Sequence, residues 1–155
     1  TRDRVYGTYD WLGNNYDIID TGGFILNEDD IINENIKIQL DIAKDESDFI
    51  VFVVDAKAEL TSNDLELAKN IRKLEKPFQL VVNKADKQKE DSNNYHYYNL
   101  GLGEPIFVSA EHGRNVGDLL DVISNIFLNF KVNTDNEQFI NLAIADGDSG
   151  ESAIP

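Results

Sequence analysis

The sequence predicts an α/β fold in which short strands of a mostly parallel sheet alternate with amphipathic helices packed on both faces. Two observations carry this. The runs Phe49-Ile-Val-Phe-Val-Val54, Phe78-Gln-Leu-Val-Val82 and Pro105-Ile-Phe-Val108 are short and apolar, as strands buried on both faces are. Stretches with helical spacing of apolar residues separate them, and such alternation specifies a doubly wound sheet whose ligands bind at the carboxyl ends of the strands.

In chain order, Val5 to Trp11 and Tyr16 to Asp20 are β-type runs joined by Leu12-Gly13-Asn14-Asn15, whose Gly and Asn tolerate the backbone that a tight hairpin needs. Ile32, Ile36, Leu40 and Ala43 form one helical stripe ahead of the first buried strand. Leu67, Ile71 and Leu74 form a second, with Asn63 and Glu66 placed as a capping box. Tyr95-His-Tyr-Tyr98 reads as packing. After Gly113 the clearest helix keeps its period through Val116, Leu119, Leu120, Ile123, Ile126, Phe127 and Phe130. Beyond it, 131–138 is polar and without period, as a linker is, and Phe139-Ile-Asn-Leu-Ala-Ile144 is a possible further strand. The expected organisation is one domain over 1–130, a linker over 131–138, and over 139–155 an acidic tail or the start of a second unit.

Composition bounds the function. With 155 residues, 41% hydrophobic and 28% charged, a packed core is expected. A formal net charge of −15 argues against unaided binding to bare nucleic acid, DNA included, or to an anionic membrane surface. The absence of cysteine rules out disulfides and thiolate metal sites, and it fits a reducing cytoplasm. The longest apolar run is far too short to span a bilayer. A chain with no methionine reads as a piece of something longer.

Four short motifs abut the predicted strands. Asn83-Lys84-Ala85-Asp86 follows a buried strand, and its chemistry suits guanine: the Asp86 carboxylate can accept from both N1–H and the exocyclic amine, a donor pair that adenine lacks. Asn83 would bond N7 or tie neighbouring loops together, and the Lys84 stem can lie along the base plane. Asp20-Thr21-Gly22-Gly23 ends another strand, where a P-loop NTPase carries the acid that helps hold Mg²⁺; Gly23 would let a backbone N–H approach a γ-phosphate. In Ser109-Ala110-Glu111 the Ala110 N–H could donate to the guanine O6, with Ser109 bracing the loop. Thr1-Arg2-Asp3-Arg4 offers a hydroxyl, that of Thr1, for Mg²⁺. His96 and His112 are isolated, as surface or loop histidines are. Trp11 reads as packing, and Asp55 as a strand-end acid that could touch a nucleotide region indirectly.

The order and spacing of these motifs resemble the Der (EngA) double-GTPase family. Thr1-Arg-Asp-Arg4, Trp11-Leu-Gly13, Ile19-Asp-Thr-Gly-Gly23, Val54-Asp55, Asn83-Lys-Ala-Asp86, Ser109-Ala-Glu-His-Gly113 and Val116-Gly-Asp-Leu-Leu120 look like its first G domain. The resemblance implies a three-layer α/β/α P-loop NTPase fold of the small-GTPase type, with GTP/GDP and Mg²⁺ as ligands. It further implies GTP hydrolysis in the cytoplasm, coupled to assembly of the large ribosomal subunit. By the same resemblance Thr1 and Asp20 serve Mg²⁺, Gly23 the γ-phosphate, Asn83, Lys84 and Asp86 the guanine, and Ser109 and Ala110 its O6 edge. No catalytic side chain is assigned, because Phe24 stands where Ras-like enzymes carry a water-orienting Gln.

The departures carry expectations of their own. A complete G domain has a strand, a G-x-x-x-x-G-K-[ST] loop and a helix before the T-R-D-R segment, and these are expected to be missing. Their absence predicts an inactive chain with weak or no GTP binding, and unpaired backbone on both neighbours of a lost central strand. Ala145-Asp-Gly-Asp-Ser-Gly150-Glu151-Ser152 looks like a damaged P-loop, with Ala145 for the first glycine and Glu151 for the lysine. Two other readings stay open: a protein- or ribosome-interaction module that binds no nucleotide, and a flavodoxin-like redox domain. Asn-Lys-Ala-Asp argues against the second.

Overall fold

A computed structural model of the chain describes residues 5–11, 14–20, 32–85, 95–130 and 140–146. The strands are β1 (Val5–Trp11), β2 (Asn14–Asp20), β3 (Phe49–Asp55), β4 (Phe78–Asn83), β5 (Ile106–Phe107) and β6 (Ile140–Asp146). The helices are α1 (Ile32–Glu46), α2 (Ser62–Lys73), α3 (Tyr95–Tyr98) and α4 (Val116–Phe130). The strands form one six-stranded sheet in the order β1-β2-β6-β3-β4-β5. The β1–β2 hairpin is antiparallel, with Trp11 opposite Asn14, and every other pairing is parallel.

The apolar runs are buried on both faces because each alternate residue enters a different layer. Ile50, Phe52, Val54, Leu80 and Val82 pack with Ile36 and Ala43 of α1 and Leu67, Ala68 and Ile71 of α2. Phe49, Val51, Val53 and Val81 face the other way, toward Tyr16 and Ile123, with Trp11, Leu119 and Ile126 packed against them. Helices therefore lie on both sides of the sheet, and the expected three-layer α/β/α architecture is present. The buried Tyr16 hydroxyl meets the buried Ser124 hydroxyl at 2.7 Å, and Trp11 Nε1 donates to Asp121 Oδ1 at 3.0 Å, so α4 is tied to the hairpin by polar contacts as well as packing.

The capping box of α2 differs from expectation. Thr61 is the N-cap: its hydroxyl accepts from the Asp64 N–H at 3.2 Å, and the Asp64 carboxylate accepts from the Thr61 N–H at 2.8 Å. A hydroxyl and a short carboxylate three residues apart close this reciprocal pair two residues ahead of Asn63, so the helix starts earlier. Of the tyrosine cluster, Tyr97 is buried with its ring edge-on to Phe107 at 5.9 Å, whereas Tyr95 and Tyr98 are exposed.

The larger difference is β6. The segment expected as a tail or the start of a second unit places its strand in the middle of the sheet, parallel to β2 on one side and β3 on the other. Unpaired backbone on the neighbours of a central slot is therefore not found: β6 pairs both. Its residues fit the slot by alternation, Ala143 and Ala145 entering the α1/α2 layer and Leu142 and Ile144 the α4 layer. Small residues on the first face leave room for α1 to approach. The damaged P-loop reading over 145–152 extends beyond Asp146, and the linker 131–138 likewise lies outside the described residues. Among the described residues no helix is long and apolar enough to cross a membrane.

Candidate functional site

Parallel strands bring their carboxyl ends to one edge, and the register places the candidate residues there. Asp20 pairs with Ile144, Val53 with Asp146, Asp55 with Asn83, and Val82 with Phe107. The strand ends of β2, β6, β3, β4 and β5 thus form a continuous rim, with the segments after β4 and β5 side by side.

The loop after β4 is built from backbone. Asn83 O accepts from the Ala56 N–H at 2.8 Å, and the Ala85 N–H donates to Val108 O at 3.0 Å. Between them Lys84 has φ +61, the left-handed region that side chains other than glycine rarely occupy. This reversal turns the chain out of the sheet and sends Ala85, which is fully buried, back against the segment after β5. Residues in such backbone conformations concentrate where function over-determines them.

The side chains join the two segments. Asn83 Oδ1 accepts from the Ala110 N–H at 3.1 Å, so of the two uses foreseen for Asn83 this is the tie between loops. Lys84 Nζ forms an ion pair with Asp55 Oδ2 at 2.9 Å, while Asp55 Oδ1 accepts from the Lys57 N–H at 2.7 Å. Both partners are partly exposed, at 49% and 29%, so the pair orients Lys84 more than it stabilises the fold; pairs of this kind contribute about 0–1 kcal/mol. Ser109 is buried and forms a small antiparallel bridge with Arg114, each N–H bonding the other's carbonyl at 3.1 and 3.0 Å. Gly113 and Asn115, at φ +70 and +59, supply the left-handed turns that close the bridge. Arg114 Nη1 then donates to Ala85 O at 2.5 Å.

The structure thus brings Asn83, Lys84, Ser109 and Ala110 together. Asp20 lies on the same rim by its backbone. Thr1, Gly23, Phe24 and Asp86 lie outside the described residues. Sequence reasoning did not foresee Arg114 as part of this arrangement and gave Asp55 only an indirect role. Asp55 had a signal, an acid directly ending a buried strand as Asp20 does; Arg114 had none, because a bond to a backbone carbonyl leaves no pattern in sequence. Among the described residues no group of three or more His, Asp or Glu side chains is placed to hold a metal ion.

Comparison with known proteins shows the family to which the chain belongs. The chain is 41% identical to GTPase Der of Clostridium acetobutylicum over 155 residues, 99% of this chain and 35% of that protein. It is 42% identical to GTPase Der of Clostridium novyi over 144 residues, 93% of this chain and 33% of that protein. It spans about a third of the length of these relatives. A crystal structure described as a probable GTP-binding protein engB superposes with a TM-score of 0.57, covering 83% of this chain and 86% of that one at 23% identity, which supports the fold. The profile of the 50S ribosome-binding GTPases matches residues 1–84, from the T-R-D-R segment to the first two residues of Asn-Lys-Ala-Asp, and the chain belongs to that family.

Proposed function

We propose that this chain carries the guanine-recognition side of a Der-type GTPase domain, and that the reaction it serves is hydrolysis of GTP to GDP and phosphate during assembly of the large ribosomal subunit in the cytoplasm. The observation that carries this reading is the Ala110 N–H to Asn83 Oδ1 bond of 3.1 Å, which holds the loop after β4 against the loop after β5. A planar base with donors on one edge and a carbonyl on the next needs two such loops held side by side.

In this arrangement the Asp86 carboxylate accepts from N1–H and the exocyclic amine. The Lys84 stem lies along the base plane with its ammonium held by Asp55. The Ala110 N–H reaches O6 by sharing the bond it makes to Asn83, and buried Ser109 braces the turn behind it. On the phosphate side Thr1 and Asp20 are the candidates for Mg²⁺ and Gly23 for the γ-phosphate. Mg²⁺, when bound, neutralises charge on the phosphates. In domain terms, 1–130 is read as G-domain sequence, 131–138 as a linker and 139–155 as a further segment; the strand Ile140–Asp146 lies between β2 and β3.

Nucleotide titrations of the ¹⁵N-labelled chain, read by amide shifts at millimolar ligand, test the reading. GTP is expected to bind weakly and ahead of ATP. Asp86→Asn places a donor opposite the guanine amine, at a cost of about 1–3 kcal/mol, and shifts preference from GTP toward XTP. An unchanged GTP preference in Asp86→Asn removes Asp86 from the site. A chain whose amides respond to no nucleotide at millimolar concentration contradicts a guanine site built on these two loops.

A further inference from the structure

Arg114, like Asn83, reaches with its side chain from one candidate base loop to the other. Its backbone is fixed at both ends: the N–H donates to Ser109 O at 3.0 Å and the carbonyl accepts from the Ser109 N–H at 3.1 Å. The next residue, Asn115, donates from Nδ2 to Phe107 O at 2.9 Å, and its own carbonyl accepts from the Leu119 N–H at 3.1 Å to start α4. Arg114 is therefore clamped between the end of β5 and the first turn of α4. From that anchor its guanidinium crosses to Ala85 O at 2.5 Å, in the middle of Asn83–Asp86.

We propose that Arg114 is a positioning residue for guanine specificity: it sets the spacing between the loop that carries Asp86 and the loop that carries Ala110. This rests on the guanine-site reading above. The physical case is that Ala85 has both backbone groups committed across the gap, its N–H to Val108 O at 3.0 Å and its carbonyl to Arg114. A charge-assisted bond from a planar, partly buried guanidinium to a carbonyl is directional and stronger than a neutral one. Asp86 follows Ala85 directly, so fixing the Ala85 peptide limits where the Asp86 carboxylate can be offered. On the other side the Ala110 N–H is held by Asn83. With the guanidinium removed, the loops stay joined through Asn83 and Val108 but the peptide next to Asp86 loses its only charged tether among the described contacts.

Two measurements on the full chain decide this, with Arg114→Met keeping the apolar stem and Arg114→Lys keeping the charge. Amide hydrogen exchange comes first and needs no nucleotide. Exchange at Ala85 and Ala110 is expected to rise at least about tenfold in Arg114→Met, with Phe52 and Val81 in the strand interiors unchanged and Arg114→Lys intermediate. Unchanged protection at Ala85 and Ala110, or an equal rise at every amide, overturns the positioning role. The second measurement compares GDP with IDP, which lacks the exocyclic amine. Arg114→Met is expected to lower the GDP-to-IDP affinity ratio toward one, whereas a loss of general stability lowers both affinities together and leaves the ratio alone. A ratio unchanged in Arg114→Met, with faster exchange at Ala85, overturns the specificity role. A wild-type chain that does not distinguish GDP from IDP refutes the guanine-site reading itself, and the exchange result still decides what Arg114 holds.

Discussion

Lys76 closes the carboxyl end of α1 from outside the helix. Its Nζ donates to Ala43 O at 3.1 Å, to Ser47 O at 2.6 Å and to Lys44 O. The last carbonyls of a helix have no partner within it, and they carry the negative end of its dipole, so an ammonium there satisfies both. Lys76→Met preserves the packing of the stem and takes the ammonium from the Lys44 and Ser47 carbonyls, while Ala43 O keeps the Ser47 hydroxyl as a donor. It is expected to lower stability by about 1–3 kcal/mol in urea denaturation, and a midpoint equal to wild type shows that water serves as well. This contact shares with the Arg114–Ala85 and Lys84–Asp55 pairs the reason it could not be read in the sequence. Each joins positions about 30 residues apart in the chain, through a side chain whose ordinary place is solvent. By contrast the places of Asn83, Ser109 and Ala110 were legible, because each ends or follows a strand of the sheet and the fold class alone sends such residues to the edge formed by the strands' carboxyl ends.

At the scale of elements, patterns dictated by burial were legible and those dictated by local polar geometry were not. β3 and β4 follow from uninterrupted apolar runs, and α4 from its unbroken period. The start of α2 was misplaced by two residues, since Thr61-x-x-Asp64 and Asn63-x-x-Glu66 are both acceptable boxes in sequence and only the bonds choose between them. That choice is testable with two variants. Thr61→Ala removes the acceptor for the Asp64 N–H and is expected to cost about 1 kcal/mol, roughly 3 °C in a thermal melt. Asn63→Ala, away from the cap, is expected to stay within about 0.5 kcal/mol of wild type. Equal losses in both variants contradict the Thr61 cap.

For the whole molecule, the decisive element is β6. Its apolar alternation was visible as a strand, but its place was not, because sequence pattern reports which face a strand buries and says nothing about which strands lie beside it. In the structure β2 and β3 do not pair with each other; they meet only through β6. Ending the chain at Gln138 therefore removes both partners at once. It takes away the ladders to Tyr16–Asp20 and to Phe49–Val53, and it removes Leu142, Ala143 and Ala145 from the interior. Removing Leu142 from the interior alone forfeits about 1.5–3 kcal/mol, a large share of the total stability of a typical domain of about 5–15 kcal/mol. The exposed strand edges and the apolar faces above and below the slot would add to this. The chain 1–138 is therefore expected to lose its cooperative thermal transition and to associate through the open edges. Ala143→Leu in the complete chain is a milder test of the same packing: Ala143 is fully buried in the α1/α2 layer, and overfilling it is expected to cost about 1–3 kcal/mol. A cooperative melt of 1–138 at the wild-type midpoint, together with an Ala143→Leu variant as stable as wild type, would place β6 outside the sheet and return 139–155 to the role of a tail.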